Sequence, residues 1–264
     1  MESNCKNCNE IFIENFCGNC GQKKYKRIDK KYIWEEIQYT VLHTNKGFLY
    51  SIKNIFKNPG KTAKEYIDGN RVNHYKPILL VFVLSGISTF ISYKILNLNE
   101  IMTKFFSDQQ VNSKMMTEVM SFISSYNSAI MLVLIPLFAL TTKIAFRKWG
   151  HNYYEHIIMN AYILAFYTLI SIIFVYPIMF VFRHSPNVFF NITQVTVLLI
   201  PAILIWFFKE FYKEHTLKSI VLKVLGTLGL TILGYIIFMI LIMIVGVLFA
   251  MQKGPEALQY IKPK

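Results

Sequence analysis

The long apolar stretches of this sequence contain no charged side chain. Charged residues make up only 16% of the chain and hydrophobic residues 54%, against about 25% and about 45–50% in globular proteins. The apolar excess is concentrated in five charge-free blocks, at residues 77–93, 119–142, 157–182, 188–208 and 224–251. Ion pumps and proton-coupled carriers usually place an ionisable group at membrane depth. The absence of such groups from the five blocks therefore argues against that class of transporter.

Three motifs of catalytic or nucleotide-binding proteins are also missing. Gly60, Lys61 and Thr62 match the end of a phosphate-binding loop, but Ile55 occupies the position of its first glycine, and the residues before it have helical periodicity. Without that glycine, no ring of backbone N–H groups would surround a phosphate. The sequence contains neither H-E-x-x-H nor G-x-S-x-G. Nucleotide-binding proteins, zinc proteases and α/β-hydrolases are therefore disfavoured.

The five apolar blocks are long enough to cross a membrane, which takes roughly 17–25 helical residues. The first block is short and is expected to continue past Lys94, whose side chain can snorkel. The second is the weakest, because serine and asparagine dilute its start. Pro136, Pro177 and Pro201 can kink the second, third and fourth helices. The sequence predicts an all-α integral membrane protein whose five transmembrane helices occupy residues 77–252, with no cleavable signal peptide before them.

The basic residues predict the orientation of these helices. The chain has a net charge of +13, and the loops 143–156 and 209–223 hold seven lysines and arginines against four in the loops 94–118 and 183–187. Cytoplasmic loops carry the excess of Lys and Arg. We therefore expect a cytoplasmic N-terminus and an external C-terminus, although the basic tail 253–264 mildly disagrees.

All four cysteines lie near the N-terminus, in two C-x-x-C pairs: Cys5 with Cys8, and Cys17 with Cys20. Each pair forms a knuckle whose two thiolates point at one ion, and two knuckles complete a tetrahedral zinc site. The eight-residue spacer between the pairs suits a short hairpin. We predict a zinc ribbon over residues 1–22 that holds one structural zinc ion. Two disulfides are the alternative, disfavoured because this segment is predicted to face the reducing cytoplasm.

A basic, amphipathic region is predicted between the ribbon and the first apolar block. The linker 23–31 is basic with an interleaved tyrosine, a pattern that suits binding to nucleic acid or to anionic lipid. Because the linker is attached to a membrane protein, lipid or a protein partner is favoured and nucleic acid is disfavoured. Residues 32–57 have the apolar periodicity of amphipathic helices, within an interfacial segment 32–76. Such helices either lie in the bilayer interface or pack on the ends of the spanning helices.

The end of this segment predicts a helix, a turn and a second helix before the membrane. Asn58, Pro59 and Gly60 stop the first helix, Thr62 caps the second with Glu65 in a capping box, and Gly69 ends it. The basic residues expected to contact anionic lipid phosphates are Lys57, Lys61, Arg71, His74 and Lys76. Ordinary basic anchoring without a defined site is the alternative.

The stretch HTNKGFLYSIKNIFKNPGKTAKEYIDGNRVNHYKP, residues 43–77, resembles the signature of domain-of-unknown-function family 3667, a family of bacterial membrane proteins. The elements that carry the resemblance are His-x-x-Lys-Gly-Phe, Pro-Gly-Lys-Thr, Tyr-Ile-x-Gly-x-Arg and His-x-Lys-Pro. The later stretch GHNYYEH, residues 150–156, and the ribbon also look like family elements. The resemblance implies a multi-pass protein of the bacterial inner membrane and brings no activity. A weaker, fold-level similarity is to Yip-type five-span proteins.

One further group of residues is a candidate polar site at the cytoplasmic face: His43, Glu155 and His156. The last two could act as acid and base or ligate a metal; the alternative is that these residues lie at headgroup level without chemistry. The leading hypothesis is a non-enzymatic scaffold that binds lipid or a partner, with a structural zinc ribbon. The second is a transporter or scramblase of lipid-like molecules, and the third is a membrane enzyme.

Overall fold

The computed structural model describes residues 3–5, 7–21, 47–71, 74–110 and 113–253 of the chain. They belong to two compact units, Met1–Asn45 and Lys46–Lys264. The predicted basic linker, the amphipathic segment before residue 47 including His43, and the tail from residue 254 onwards lie outside the described residues.

The first unit contains a small antiparallel hairpin. Strand β1 (Ser3–Asn4) pairs with β2 (Ile11–Phe12), with Ser3 opposite Phe12 and Asn4 opposite Ile11. The hairpin therefore encloses the first cysteine pair. This differs from a hairpin formed within the spacer alone, because only β2 lies between the two cysteine pairs.

The regular secondary structure among the described residues of the second unit is helical. Two short π-helical stretches continue the helices that they follow: Ile91–Ile95 follows Pro77–Phe90, and Ser171–Val175 follows Tyr153–Ile170. The α-helices are α1 (Gly47–Lys57), α2 (Pro59–Ile67), α3 (Pro77–Phe90), α4 (Leu98–Asp108), α5 (Lys114–Ala145), α6 (Tyr153–Ile170), α7 (Tyr176–Val181), α8 (Pro186–Leu198), α9 (Ile200–Phe211) and α10 (Leu217–Lys253).

Five helical stretches are long and apolar enough to cross a membrane, which confirms the predicted number of spans. They are Pro77–Ile95, Lys114–Ala145, Tyr153–Val181, Pro186–Phe211 and Leu217–Leu248. The first span continues past Lys94, as expected. The second is longer than its charge-free block, since it includes the polar residues that dilute its start.

Two of the three prolines coincide with breaks in the spans. Pro177 follows the π-helical stretch of the third span, and Pro201 lies in the first turn of α9, where the fourth span divides. Proline lacks the N–H that would bond the preceding turn. In the second span the backbone departs from helical geometry at Tyr126, ten residues before Pro136. Proline position alone therefore did not predict that break.

The helices α1 and α2 pack on the spanning helices. Ile55 and Ala63 are fully buried in the same core as Leu80, Tyr162 and Phe207, which belong to the first, third and fourth spans. For residues 47–67, part of the apolar face therefore contacts protein, whereas Leu49 and Phe56 stay exposed. We call α1, α2 and the turn to Lys76 the platform.

Candidate functional site

The two cysteine pairs have the same local backbone. The N–H of Asn9 donates to the carbonyl of Cys5 at 3.0 Å, and the N–H of Gly21 donates to the carbonyl of Cys17 at 2.9 Å. Both donors lie four residues after the first cysteine of their pair, and both have positive φ, 58° for Asn9 and 72° for Gly21. Asparagine and glycine tolerate that conformation best. Each pair is thus folded into a knuckle that turns two thiols to one side.

The four sulfur atoms lie within 4.8 Å of one another. Across the knuckles, the Sγ of Cys5 is 3.4 Å from that of Cys20, and the Sγ of Cys8 is 3.6 Å from that of Cys17. Sulfurs bound at about 2.3 Å around a tetrahedral zinc would be about 3.8 Å apart. None of these four cysteines forms a disulfide. The cluster is therefore within metal-binding distance and fits a zinc site.

Large apolar side chains are exposed around this cluster. Ile11, Ile13 and Phe16 are each more than half exposed, although they lie between two cysteine pairs whose first members, Cys5 and Cys17, are buried. A ribbon of this size has little core of its own, so such residues are available to a partner.

The start of α2 is built around a very close helix contact. A Cβ placed on Gly60 would lie 2.2 Å from the backbone oxygen of Phe207 and 3.0 Å from the backbone nitrogen of Phe211. Only glycine fits there. The Pro-Gly of this stretch therefore allows α2 to approach α9 and is not part of a phosphate-binding loop.

The predicted cap of α2 at Thr62 is wrong. The helix begins at Pro59, and its N-cap is Asn58, whose side-chain oxygen accepts the N–H of Lys61 at 2.9 Å. Proline is tolerated in the first helical turn because its missing N–H would have no partner there. Thr62 lies inside the helix, where its N–H and hydroxyl both donate to the Asn58 carbonyl. The Thr62–Glu65 capping box is accordingly absent, and the N–H of Thr62 is not free for an anion.

Acidic residues accompany the bases at this end of the platform. Lys61 lies 3.8 Å from Glu65, and Lys64 lies 3.4 Å from Asp68. A cavity of about 270 Å³ nearby is lined by three lysines, three glutamates and one phenylalanine: Lys61, Lys64, Lys213, Glu65, Glu210, Glu214 and Phe211. Its formal charge is balanced, so it does not favour an anion. Lys57 is exposed at the end of α1.

The turn after α2 is organised by Tyr66. Gly69 has a φ of +112°, which suits glycine at a helix end. Arg71 then folds back: its Nε donates to the carbonyl of Tyr66 at 3.3 Å, and its guanidinium lies 5.6 Å from the centre of the Tyr66 ring. The arginine is exposed, so its charge is held at the surface beside that ring.

His74 is not at the surface. Its side chain has no exposed area and lies between the rings of Tyr50 and Tyr66, at centroid distances of 5.1 and 6.2 Å. The nearest acid, Glu65, is 3.8 Å from its Nε2, and neither ring nitrogen has a hydrogen-bond partner among the described residues. Burial lowers the pKa of His74, and Glu65 opposes that shift in part. Its burial does not fit the expected contact with lipid.

Lys76 does reach the surface, at the mouth of an apolar groove. The groove has a volume of about 490 Å³ and lies between α2, α3, α5 and α6. Its walls are apolar or aromatic side chains, and Lys76 is the charged residue in its lining; the full lining is Tyr66, Lys76, Pro77, Ile78, Leu79, Phe82, Leu132 and Ile158. Of the five bases predicted to meet lipid, this one has an apolar site beside it.

The predicted pair Glu155 and His156 lies at the start of α6, where each residue makes its own contacts. Glu155 and Asn152 form a capping box at the start of α6. His156 is fully buried, and its Nδ1 lies 3.2 Å from the hydroxyl of Thr142, which also accepts from the amide of Asn160 at 2.9 Å. Both residues therefore have structural contacts, and His43 lies outside the described residues.

Sequence reasoning placed both basic loops and the platform on one membrane face but did not predict the contacts that join the loop 209–223 to the other loop and to the platform. The rings of Trp149 and His215 stack at 3.8 Å, which joins the loop after the second span to the loop after the fourth. At that end, the Asn58 amide donates to Glu210 at 2.7 Å. These are the two loops that hold the excess of basic residues. No local pattern could have indicated a contact between residues 152 positions apart.

A model for the protein family of unknown function DUF3667 matches residues 45–89 of the chain. The match confirms the predicted resemblance and is narrower than expected, because it includes neither the ribbon nor the stretch GHNYYEH. In the structure, the matched stretch comprises the platform and nearly all of α3. No curated protein and no solved structure matches the chain, so the similarity to Yip-type proteins stays an analogy.

Proposed function

We propose that this protein is a non-enzymatic scaffold of the bacterial inner membrane that binds anionic lipid at the platform and a protein partner through its ribbon. The observation that carries the proposal is the packing of the platform. Ile55 and Ala63 of its apolar face are buried on the spans, while its lysines and Arg71 are exposed or half-buried. Residues 47–76 hold six lysines and arginines against two acids. A fixed, basic surface beside apolar helices suits lipid phosphates.

The ribbon contributes a second binding element. We propose that Cys5, Cys8, Cys17 and Cys20 hold one zinc ion whose role is structural, since four thiolates leave no open coordination position. The exposed side chains Ile11, Ile13 and Phe16 are the surface that a partner would cover. This assignment explains why a small domain without a large core presents apolar residues.

We further propose a cytoplasmic N-terminus and an external C-terminus. The contact of the two basic loops with each other and with the platform region supports this, because the positive charge is then concentrated at one end of the bundle. Reporter fusions after residue 30 and after residue 264 should report opposite compartments. Two cytoplasmic reporters would refute the orientation of the five spans.

A transporter or scramblase of lipid-like molecules is the alternative. The groove between α2, α3, α5 and α6 is the observation in its favour, because such proteins need apolar contacts for acyl chains. A dithionite assay on vesicles with fluorescent lipids distinguishes the two proposals. A scaffold should leave the outer-leaflet fraction of the label unchanged, whereas a scramblase should expose nearly all of it.

The lipid proposal is tested on the wild-type chain in nanodiscs that contain phosphatidylglycerol and phosphatidylcholine in equal amounts. After extraction in a mild detergent, native mass spectrometry counts the lipids that the protein retains. We expect phosphatidylglycerol in clear excess, with a preference that falls as salt rises. Equal retention of the two lipids would refute lipid selectivity at the platform.

A further inference from the structure

The groove beside Lys76 combines the two properties that a phospholipid needs. Its walls come from four helices and include Leu79 and Phe82 of the first span, Leu132 of the second and Ile158 of the third. Its volume of about 490 Å³ falls within the range of about 300–1,000 Å³ typical of small-molecule sites. An acyl chain is apolar and flexible enough to fill such a space.

The charge at the groove mouth is positive and uncompensated. The ammonium group of Lys76 has no hydrogen-bond or ion-pair partner in the part of the chain that the structure describes, and the groove lining contains no acid. Tyr66, which also lines the groove, carries the guanidinium of Arg71 over its ring. Lys76 and Tyr66 thus both line the groove, and the guanidinium of Arg71 lies on the Tyr66 ring.

We infer that this groove binds a single anionic phospholipid, with an acyl chain along the walls and the phosphate at Lys76 and Arg71. The inference rests on the proposed lipid-binding function and assigns it to one site. The positive mouth favours an anionic headgroup over a zwitterionic one, and the apolar walls favour a lipid over free phosphate. An apolar helix of a partner would fill the walls but would leave both cations without a counter-charge.

The other end of the platform lacks this combination. The cavity beside Lys61 and Lys64 has as many glutamates as lysines, and both lysines lie near acids on their own helix. The bases predicted to contact lipid therefore fall into two groups. Only the group at residues 71–76 joins unpaired charge to an apolar site among the described residues.

The position of the lipid is tested by photo-crosslinking in the wild-type protein. Nanodiscs are prepared with phosphatidylglycerol that carries a diazirine in its acyl chain, and modified peptides are identified after irradiation. We expect the groove residues Leu132 and Ile158 to be labelled well above exposed apolar residues such as Val133, which is 61% exposed. Equal labelling of groove and exposed residues would overturn the inference. Crosslinks from the groove to a second copy of the chain would overturn it too, because they would identify a protein contact.

A pair of neighbouring substitutions tests occupancy. Leu132→Trp places a large ring in the groove, whereas Val133→Trp places the same ring on the exposed side of the same helix. We expect phosphatidylglycerol that survives detergent extraction to fall at least about fivefold in Leu132→Trp, since the groove wall is blocked, and to stay unchanged in Val133→Trp. Equal retention in the two variants would overturn the inference.

A second pair tests the charge. Lys76→Gln removes the cation from the groove mouth, and Lys148→Gln removes an exposed lysine of the loop after the second span, outside the platform and the groove. We expect retention of phosphatidylglycerol to fall about fivefold in the first variant, as for a charged contact near the surface, and to be unchanged in the second. If both substitutions lowered the retention of phosphatidylglycerol equally, the groove site would be refuted, because the lipid would then be held by diffuse electrostatic attraction.

These outcomes separate the inference from the function on which it rests. If the wild type shows no preference for phosphatidylglycerol, lipid selectivity fails and the groove site fails with it. If the wild type shows the preference and the groove variants keep it in full, only the groove site is refuted. In that case the anionic lipid is held elsewhere on the platform.

Discussion

Replacing Gly60 by alanine should destabilise the platform, although alanine is the better helix former. The added Cβ would lie 2.2 Å from the Phe207 carbonyl oxygen and 2.9 Å from the Cβ of Glu210, whereas ordinary contacts begin near 3.4 Å. Since two of the three nearest atoms are backbone, no side-chain rotation relieves the overlap. Helix α2 would have to move away from α9 by about 1 Å.

The expected loss follows from two opposing effects. An overlap with backbone atoms puts the cost of overpacking at the upper end of its usual range, about 2–3 kcal/mol, and replacing glycine in a helix returns about 1 kcal/mol. The free energy of unfolding should therefore fall by about 1–2 kcal/mol. For a chain of this size each kcal/mol changes the melting temperature by about 2–4 °C, so a decrease of about 2–8 °C is expected.

The measurement is the apparent melting temperature in detergent, followed by tryptophan fluorescence at one scan rate, because irreversible unfolding depends on that rate. Gly86→Ala is the matched control: Gly86 lies within α3, and a Cβ there meets nothing within 4 Å. It should leave the melting temperature unchanged or raise it. Trypsin should also cleave faster after Lys61 and Lys64 in Gly60→Ala. A Gly60→Ala protein that melts at or above the wild-type temperature would refute the close approach of α2 to α9.

Three further changes have defined outcomes. Replacing Cys17 and Cys20 by serine should release the bound zinc while the melting temperature of the helical unit stays unchanged; full zinc content by mass spectrometry would contradict the site. Asn58→Asp keeps a good N-cap but places a carboxylate against Glu210, so it should lower the melting temperature by a few degrees, for a loss of about 1–2 kcal/mol. Adding Glu210→Gln to the same chain should restore most of the lost stability. No restoration would contradict the contact between residues 58 and 210. The pKa of His74 is lowered, so the folded state binds a proton less readily than the unfolded state. The free energy of unfolding should therefore fall as the pH drops below the ordinary histidine pKa of 6.5. If a His74→Gln protein lost the same stability between pH 7 and pH 5, other groups would be the cause.

Some features could be predicted because a short stretch of sequence determines them. The five spans follow from length and the absence of charge, and the knuckles follow from the C-x-x-C spacing. The helical periodicity from Phe48 to Phe56 likewise predicted α1. Each of these signals lies within a single element, so no knowledge of the tertiary structure was needed.

Other features depend on contacts between distant residues. Asn58 and Pro59 do end α1 as predicted, but Pro59 and Gly60 also form the first turn of α2, where proline is accepted and Gly60 packs on Phe207. His74 lies among bases and was expected at the surface, but the rings of Tyr50 and Tyr66 enclose it. The charge of a segment indicates its average surroundings and not the burial of one side chain.

The boundaries of the family match separate the two binding functions that we propose for the chain, lipid binding at the platform and partner binding at the ribbon. Residues 45–89 contain the platform and the parts of the groove that α2 and α3 supply, whereas the ribbon lies outside them. The ribbon belongs to a separate compact unit, and its four thiols all lie within it. If these thiols hold zinc as we propose, a unit of that size would depend on the metal for stability, so loss of zinc should abolish the proposed partner binding and leave lipid retention intact. Leu132→Trp should have the opposite effect: it should lower lipid retention and leave the proposed partner binding intact, because the groove shares no residue with the ribbon.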